Sequence, residues 1–302
     1  MSTKTELVIE GKPVPVSNLQ KVLYPAPGFT KGQVIDYYIR IAPVLLPHLR
    51  KRPLTLKRYP DGVRGFFFYE KACPGHRPAW LRTTKVPAFR EEGHINYCVM
   101  DELAALVWVA NLADLELHTF LHRAPKLDRP TMLAFDLDPG PPADILQCGQ
   151  VALRLRELFS GWGLESFPKT SGSKGLQIYV PLNTATTYEK TGAFAKAVAL
   201  YLEQEHPELI VSRMQKSLRA GKVLIDWSQN DEHKTTVSVY SLRAKEQPTV
   251  STPVSWEEVE ASVKKRRPLS FLSDQVLQRV ERLGDLFAPV LTLKQKLPKL
   301  DL

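Results

Sequence analysis

The sequence contains little cysteine and no long hydrophobic run. Its three cysteines, Cys73, Cys98 and Cys148, form no CxxC pair, and an odd count argues against a disulfide framework and for a reducing compartment. Cys73 and His76 have zinc-like spacing, but no second pair completes four ligands. The longest apolar run, residues 103–110, is far shorter than the roughly 20 residues of a membrane helix, and the first residues lack an apolar signal core. We therefore expect a cytoplasmic protein with no membrane partner.

Acidic residues are outnumbered by basic ones. The 302 residues include 41 Lys and Arg against 32 Asp and Glu, a formal net charge of +9, with a pI near 9.4. Such an excess often marks a polyanionic partner, although a solvated basic surface without function is an alternative. With 43% hydrophobic and 24% charged residues, the composition is that of an ordinary globular protein.

Strand and helix patterns alternate irregularly along the chain. Apolar spacing predicts a helix within 31–49, which Pro43 and Pro47 should kink or end. Residues 54–71 are typical of a hairpin with a Pro-Asp-Gly turn. Further helices are predicted over 101–113, 143–162 and 187–206 and within 274–290, and strands over 114–120, 165–170, 176–182, 222–227 and 235–242. This order favours an α/β or α+β fold with mixed, largely antiparallel sheets flanked by helices over a doubly wound parallel fold.

The segment FDLDPG, residues 135–140, places two carboxylates on one strand face. Asp136 and Asp138 are two residues apart, so they lie side by side, which is unfavourable unless a cation such as Mg²⁺ or Mn²⁺ lies between them. The alternative is a strand end with solvated aspartates before a turn. Asp226, in KVLIDW, offers a third carboxylate unless it only pairs with Lys222 or Lys234. Three strand-borne aspartates are what a two-metal phosphoryl-transfer site requires.

The loop TSGSKG, residues 170–175, combines small residues with hydrogen-bond donors. Its backbone N–H groups, the hydroxyls of Ser171 and Ser173 and the charge of Lys174 could bind phosphate. A plain two-glycine hairpin turn would look much the same, and the Walker pattern is absent. Lys234 and Arg243 could extend the grip on a triphosphate.

These motifs together resemble one family. FDLDPG, TSGSKGL, SLRAGKVLIDWSQN with a following KTT, and YSLR occur in this order, preceded by LQKVLYP, KRYPDG and FFFYEK. The sequence is thereby similar to the polymerase domain of the bacterial ATP-dependent ligase D of non-homologous end joining, in the archaeo-eukaryotic primase superfamily. The resemblance covers about residues 15–290 and implies a single primase-polymerase domain over 1–302. Its N-terminal part would bind the DNA 5′-phosphate, its primase-like catalytic core would span about 115–245, and 291–302 would be a tail or linker.

The resemblance also implies roles for individual residues. The metal-binding and catalytic triad would be Asp136, Asp138 and Asp226. Nucleotide contacts would come from His118, Ser171, Lys174, Lys57, Gln229, Lys234 and Arg243. DNA contacts would come from Asn18, Lys21 and Lys31 around the 5′-phosphate, from Phe68 and Tyr69 stacking on the template, and from Arg219. Without the resemblance, His118 would be interpreted as a half-buried strand residue, and the aromatic pair as core.

Two features depart from the full pattern. Many members have histidine after KGL, where this chain has Gln177, which can donate a hydrogen bond to phosphate but cannot become cationic. The Lys-x-Asp-Gly motif of a covalent nucleotidyl-transferring ligase is absent, and the nearest string, Tyr59-Pro60-Asp61-Gly62, has no lysine in place. We therefore expect no ligation by that route, in either a stand-alone polymerase or an excised domain.

The expected function is template-directed nucleotidyl transfer by a two-metal mechanism. The resemblance implies two divalent cations, Mn²⁺ (or Mg²⁺), and a preference for ribonucleotides. The implied partners are gapped or broken DNA with a 5′-phosphate, nucleoside triphosphates, a DNA ligase and a Ku-like end-binding protein, at the nucleoid.

One alternative is a non-catalytic DNA-end-binding module, which would need no carboxylates. Another is a glycosyltransferase with an Asp-x-Asp pair, which would not explain Asp226, the serine-lysine loop and the basic surface together. A haloacid-dehalogenase-type phosphatase fits less well, because Pro139 stands where its motif needs threonine or valine.

Overall fold

The chain folds into two compact units that alternate along the sequence. The computed structural model describes residues 4–89 and 92–299. Unit 1 falls within Met1–Pro125, Thr235–Ser251 and Phe271–Gly284, and unit 2 falls within Lys126–Lys234, Thr252–Ser270 and Asp285–Leu302. The stretch 115–245, expected to be the catalytic core, is therefore divided between the two units.

Both units combine helices with mostly antiparallel strands, as the sequence predicts. The strands are β1 (Lys4–Ile9), β2 (Lys12–Ser17), β3 (Val22–Tyr24), β4 (Phe29–Thr30), β5 (Pro53–Arg58), β6 (Phe68–Glu70), β7 (Thr83–Pro87), β8 (His94–Val99), β9 (Asp114–Thr119), β10 (His122–Arg123), β11 (Lys126–Pro130), β12 (Met132–Pro139), β13 (Phe167–Thr170), β14 (Leu176–Pro181), β15 (Ile210–Val211), β16 (Val223–Asp226) and β17 (Thr236–Val237). The helices are α1 (Lys31–Leu49), α2 (Leu103–Asn111), α3 (Ile145–Gly161), α4 (Tyr188–Glu205), α5 (Trp256–Lys265), α6 (Ser273–Leu283) and α7 (Pro289–Thr292), with single 3-10 turns at Lys216–Leu218 and Trp227–Gln229.

Unit 1 is built on a six-stranded antiparallel sheet. The strand order is β17-β9-β5-β8-β7, and β6 also pairs with β5. Because strand side chains alternate between faces, Leu115 and Leu117 of β9 are buried in the core, while Glu116 and His118 point to the other face. That polar face carries the unit 1 candidate site.

Helix α1 runs through both of its prolines. Thr30 caps its N-terminus by accepting a hydrogen bond from the backbone N–H of Gln33, whose side chain bonds back to Thr30, which is a capping box. The predicted end near Pro43 or Pro47 is wrong, because the helix continues to Leu49, and a kink at either proline stays a prediction. Its C-terminal half is held by burial of apolar side chains such as Leu45 and Leu49, which outweighs the hydrogen bonds that proline cannot donate.

Unit 2 is built on a five-stranded sheet with the order β13-β14-β12-β16-β15. All pairs are antiparallel except β15 with β16. Helix α3 contacts β12 and β14, and the ring of its Phe159 lies 5.4 Å from that of Phe135. Both rings are fully buried, and burying a side chain of this size stabilises a fold by about 1.5–3 kcal/mol. This packing leaves Asp136 and Asp138 on the opposite face of β12.

Two local predictions need correction. Helix α5 was not predicted, although Ser255 and Glu258 form a capping box at its start. The strand predicted over 235–242 shrinks to β17, because from Tyr240 the backbone turns away, with a positive φ of 63° at that residue. The pattern of alternating apolar residues continues beyond the point where a partner strand is available.

Cys73 and Cys98 form a disulfide, so the expectation of no disulfide is wrong. Cys73 follows β6 and its backbone N–H donates to the carbonyl of Asn96, which brings it beside Cys98 on β8. This proximity depends on strand pairing between distant segments, which cysteine spacing does not reveal. The zinc-like pair of Cys73 and His76 is therefore not a zinc site.

The segment predicted as a tail or linker, 291–302, is partly attached to unit 2. Gln295 donates its side-chain amide to the carbonyls of Glu165 and Pro181, and its backbone N–H to that of Leu182. Residues 300–302 lie outside the described residues. Within residues 4–89 and 92–299, no helix is long and apolar enough to cross a membrane.

Candidate active site

Four polar residues form a row across the sheet of unit 2. Lys169 on β13 is directly opposite Gln177 on β14, which is opposite Asp136 on β12, which is opposite Asp226 on β16. Directly opposed residues share a face of the sheet. Asp138 lies two residues along β12 on the same face as Asp136. The structure thus brings together the three aspartates that the sequence predicts.

The carboxyl group of Asp136 is held where negative charge is unfavourable. Its burial, together with the nearby charges of Asp138 and then Asp226, raises the pKa of Asp136 to about 7, although a hydrogen bond from Gln177 and the charge of Lys169 oppose this. Without a cation, Asp136 therefore carries a proton over much of the range in which ordinary aspartates are ionised.

Gln177 connects the positive and negative ends of this row. The buried ammonium of Lys169 donates to Oε1 of Gln177, and the hydroxyl of Tyr179 donates to the same oxygen at 3.4 Å. Because Oε1 is occupied by donors, the amide N–H of Gln177 is the group that bonds Asp136. Gln177, for which the resemblance implies histidine in many members, is thus buried and hydrogen-bonded to Asp136.

Asp226 is fixed by the short turn that follows it. Its Oδ1 accepts from the backbone N–H and hydroxyl of Ser228, at 2.9 and 2.5 Å, and its Oδ2 accepts from Nε2 of Gln229 at 2.8 Å. Lys234 donates to the hydroxyl of Ser228. Gln229 and Lys234, which the sequence assigns to the nucleotide, are here bound to the Asp226 carboxylate and its neighbour.

Within residues 4–89 and 92–299, no group of three or more His, Cys, Asp and Glu side chains has the arrangement of a metal site. The chemistry of the donors nevertheless fits a divalent cation. Three carboxylates lie on one sheet face, and burial, followed by the charges of Asp138 and Asp226, raises the pKa of Asp136. A hard cation with oxygen ligands would relieve that repulsion.

The TSGSKG loop is a closed turn. The hydroxyl of Ser171 accepts from the backbone N–H groups of Ser173 and Gly175, both at 3.2 Å. A Cβ on Gly175 would lie 1.9 Å from the carbonyl oxygen of Leu137, so only glycine fits against β12. Ser171 organises the loop internally, whereas the side chain of Lys174 is exposed. The charge available to a phosphate at this loop is that of Lys174.

A second cluster lies on the polar face of the unit 1 sheet. Oε2 of the buried Glu116 is 3.2 Å from Nζ of Lys57, 3.1 Å from Nε2 of His118 and 3.4 Å from Nε of Arg243. Oε1 accepts from the backbone N–H of Ala244 at 3.0 Å. Lys57, His118 and Arg243 were predicted nucleotide contacts, and the structure brings them together. Sequence reasoning placed Glu116 on the face of His118 but gave it no role.

The charges of this cluster influence one another. Burial alone would raise the pKa of Glu116, but the hydrogen bond from His118 and the charges of Arg243 and Lys57 bring it well below its usual range. Burial lowers the pKa of His118, despite the opposing hydrogen bond and charge of Glu116. At neutral pH the cluster therefore holds an ionised glutamate, two cations and a neutral imidazole.

The predicted aromatic pair does not form one surface. Lys57 pairs with Tyr69 and Arg58 with Phe68 across β5 and β6, so the two rings point to opposite faces. The ring of Tyr69 lies 5.9 Å from the imidazole of His118, while the guanidinium of Arg58 lies 5.2 Å from the ring of Phe68. Among the aromatic residues of FFFYEK, Phe66 is the most exposed, at 69%.

The residues predicted to hold a 5′-phosphate lie around the start of α1. The backbone N–H of Lys21 donates to the carbonyl of Asn18, and that of Lys31 donates to the carbonyl of Lys21. Burial, and then the charges of Lys21 and Arg58, lowers the pKa of Lys31 to about 8. Lys21 pairs with the exposed Asp61 at 3.1 Å. Because the charge of Lys21 contributes to the lowered pKa of Lys31, a bound anion would favour the charged form of Lys31.

Arg219 lies at the Pro-Gly end of FDLDPG. A Cβ on Gly140 would be 1.9 Å from the carbonyl oxygen of Arg219, so the glycine permits this close approach. Nη2 of Arg219 donates to the carbonyl of Met214 at 2.5 Å. Arg219, which was predicted to contact DNA, therefore binds within its own loop.

Known proteins resemble this chain over most of its length. The family described as LigD, primase-polymerase domain, matches residues 30–287. The multifunctional non-homologous end joining protein LigD of Mycolicibacterium smegmatis is 42% identical over 279 residues, which are 92% of this chain and 36% of that protein. The bifunctional non-homologous end joining protein LigD of Bacillus subtilis is 33% identical over 287 residues, which are 93% of this chain and 45% of that protein. The chain thus spans less than half the length of these relatives.

A solved structure has the same fold. The polymerase domain from Mycobacterium tuberculosis ligase D, in complex with DNA, superposes with a TM-score of 0.86 at 40% identity, covering 93% of this chain and 98% of that one. The predicted fold class, a mixed α/β fold with antiparallel sheets, is confirmed.

The bonds of Gln177 predict a stability effect. Gln177→Leu removes one acceptor of the buried Lys169 ammonium and the donor to Asp136, and the loss of a buried hydrogen-bond partner costs about 1–3 kcal/mol. Urea unfolding should show a loss of this order. The control is Gln295→Leu, the same substitution in the same unit, where water can replace the lost hydrogen bonds and the loss should be smaller. Equal losses for the two variants would contradict the bridging role of Gln177.

Proposed function

Because this chain belongs to the LigD primase-polymerase domain family, we propose that it is a template-directed nucleotidyltransferase. It fills gaps or extends DNA ends during double-strand-break repair by non-homologous end joining. The observation that carries this proposal is the register of unit 2, which sets Asp136 opposite Asp226 with Asp138 on the same face. That arrangement supports a phosphoryl-transfer centre at this end of the sheet.

The three aspartates would hold two divalent cations, Mn²⁺ or Mg²⁺. An ionised carboxylate offers about four lone-pair sites, and Asp226 uses three of them on Ser228 and Gln229. It can therefore keep these bonds and still bind a cation. When bound, such cations lower the pKa of an attacking hydroxyl and stabilise the charge of a leaving pyrophosphate.

The proposed reaction extends a primer by one nucleotide. The 3′-oxygen of the primer forms a bond to the α-phosphorus of a nucleoside triphosphate, the bond between the α-phosphorus and the bridging oxygen breaks, and pyrophosphate leaves. The hydroxyl proton passes to solvent or to a nearby base. Lys174, exposed at its loop in unit 2, would bind phosphate, and from the family resemblance we also assign Lys57, His118 and Arg243 of unit 1 to nucleotide binding.

The DNA side of the proposal rests on the lysines near α1. Lys21 and Lys31 would bind the 5′-phosphate across a gap, and the exposed ring of Tyr69 would stack on an unpaired template base. From the family resemblance we also propose a preference for ribonucleotides, best activity with Mn²⁺, and action at chromosomal DNA beside a DNA ligase and a Ku-like end-binding protein.

Substitution of Asp226 tests whether the three aspartates support nucleotidyl transfer. Asp226→Asn keeps the size of the side chain but removes its charge, so extension of a gapped, 5′-phosphorylated DNA with Mn²⁺ should fall by at least about a hundredfold. DNA affinity should change little. The control is Asp231→Asn, an exposed aspartate of the same unit whose carboxylate caps the N–H of His233 and whose loss should leave extension unchanged.

This experiment also separates the alternatives. Wild-type extension directed by the template supports the polymerase, and parallel reactions with ribo- and deoxyribonucleotides give its sugar preference. Normal extension by Asp226→Asn would overturn the assignment. Binding of the phosphorylated gap without any extension by the wild type would favour a DNA-end-binding module instead.

The 5′-phosphate site predicts a loss of discrimination. Lys21→Ala with Lys31→Ala should lower the affinity ratio between a 5′-phosphorylated and an unphosphorylated gap by about tenfold to a hundredfold, because two charge-assisted hydrogen bonds are lost. Fluorescence anisotropy without metal measures the ratio. Arg40→Ala with Lys85→Ala, which removes two exposed cations from the same unit, should leave it unchanged. An unaltered ratio in the first variant would remove these lysines from the site.

The lowered pKa of Lys31 predicts a pH dependence. Phosphate binding favours the charged ammonium, and free Lys31 loses its proton as pH rises through about 8. The affinity ratio should therefore hold below pH 8 and fall above it, by at most about tenfold per pH unit. Lys31→Arg stays charged, so its ratio should remain flat up to pH 9.5. The same decline in that variant would show that Lys31 is not responsible.

A further inference from the structure

Glu116 is the most enclosed member of the unit 1 cluster. Its side chain is 2% exposed, whereas those of Lys57, His118 and Arg243 are 13–14% exposed. Its Oε2 is hydrogen-bonded to Lys57 and His118 and forms an ion pair with Arg243, and a backbone N–H donates to its Oε1. The Glu116 carboxylate is thus buried, whereas the three side chains around it remain partly exposed.

A purely stabilising role explains this arrangement poorly. Buried ion pairs contribute little net stability, because desolvation of the charges offsets their attraction. Neutralising a single charge needs only one partner, as in the ion pair between Arg58 and Glu70 in the same sheet, whose nitrogen and oxygen atoms are 2.7 Å apart. One carboxylate fixing three side chains instead determines where those side chains point.

The cluster also has more positive than negative charge. Lys57 and Arg243 carry two positive charges and Glu116 carries one negative charge, while His118 is largely neutral. The excess suits a phosphate ligand in front of the two cations. Since an ionised carboxylate can only accept, Nε2 of His118 must donate to Glu116, and Nδ1 is then the nitrogen that can accept from a ligand hydroxyl.

We propose that Glu116 is a positioning residue that holds Lys57, His118 and Arg243 in the geometry needed to orient a nucleoside triphosphate. The proposal rests on the proposed polymerase function. Glu116 does not touch the nucleotide itself. It aligns the two cations with the phosphates and fixes the hydrogen-bonding state of the imidazole.

Glu116→Gln tests this with little change in shape. We expect kcat for extension of a gapped DNA to fall about tenfold or more, while the KM for the nucleotide changes less, because the released cations still attract the triphosphate. The control is Glu203→Gln in unit 2, where the carboxylate also accepts from several donors, on Ser212 and Arg213. Its kcat should stay at the wild-type value, and equal kcat values for the two variants would overturn the proposal.

A double-mutant cycle distinguishes positioning from folding. If Glu116 acts through Lys57, the loss in kcat caused by Glu116→Gln should shrink at least threefold in a Lys57→Ala background, because coupled residues are not additive. An equal loss in both backgrounds would indicate a general structural effect and would overturn the proposal. If Glu116→Gln does not fold, Glu116→Asp, which keeps the charge but shortens its reach, takes its place in the same cycle.

A titration of His118 by NMR gives a readout that does not require polymerase activity. Glu116 raises the pKa of His118 against the opposing effects of burial, Arg243 and Lys57. The pKa of His118 should therefore fall further in Glu116→Gln and stay unchanged in Glu203→Gln. An unchanged value in Glu116→Gln would overturn the proposal even if the wild type proved not to extend DNA, so failure of the proposed function remains distinguishable.

Discussion

The repulsion between carboxylates fixed on one sheet face is the constraint on which the candidate active site depends. The hydrogen-bond ladder places Asp136 directly opposite Asp226, and the alternation of β12 places Asp138 beside them. None of these side chains can move to the other face without a shift in strand register, which would also expose Leu133, Phe135 and Leu137. The core therefore enforces the repulsion, and the surrounding polar residues, Gln177, Lys169, Ser228 and Gln229, offset it only in part.

The two units show complementary imbalances of charge. In unit 2 three aspartates share one sheet face, and burial, followed by the charges of Asp138 and Asp226, raises the pKa of Asp136. In unit 1 Lys57 and Arg243 outnumber Glu116, whose pKa is lowered against the effect of burial by the hydrogen bond from His118 and then by the neighbouring positive charges. The negative charge of the unit 2 aspartates suits divalent cations, and the excess positive charge of the unit 1 cluster suits an anion such as a phosphate. This chemical match is independent of family resemblance and points to the same reaction class.

Sequence patterns predicted what depends on local periodicity. The alternation in FDLDPG and in LELH correctly placed the aspartates, and Glu116 with His118, on polar strand faces. Features that depend on pairing between distant segments were not predicted from these patterns. The Cys73–Cys98 disulfide requires the packing of the loop after β6 on β8. The row from Lys169 to Asp226 requires the order of four strands. The separation of Phe68 from Tyr69, in contrast, follows from the alternation of the hairpin predicted over 54–71, and it conflicts with the shared role that the resemblance implies for the two rings.

The position of Gln177 shows how register explains a departure from the family pattern. Placed between a buried ammonium and a carboxyl group, this residue must accept from Lys169 and donate to Asp136. A glutamine amide meets both demands with its oxygen and its NH₂ group. A neutral histidine also has one acceptor and one donor nitrogen, so both residue types can occupy this position without a change in charge. The requirement at this site is therefore a neutral side chain that links Lys169 to Asp136, and a cationic residue would add positive charge beside an ammonium that is already buried.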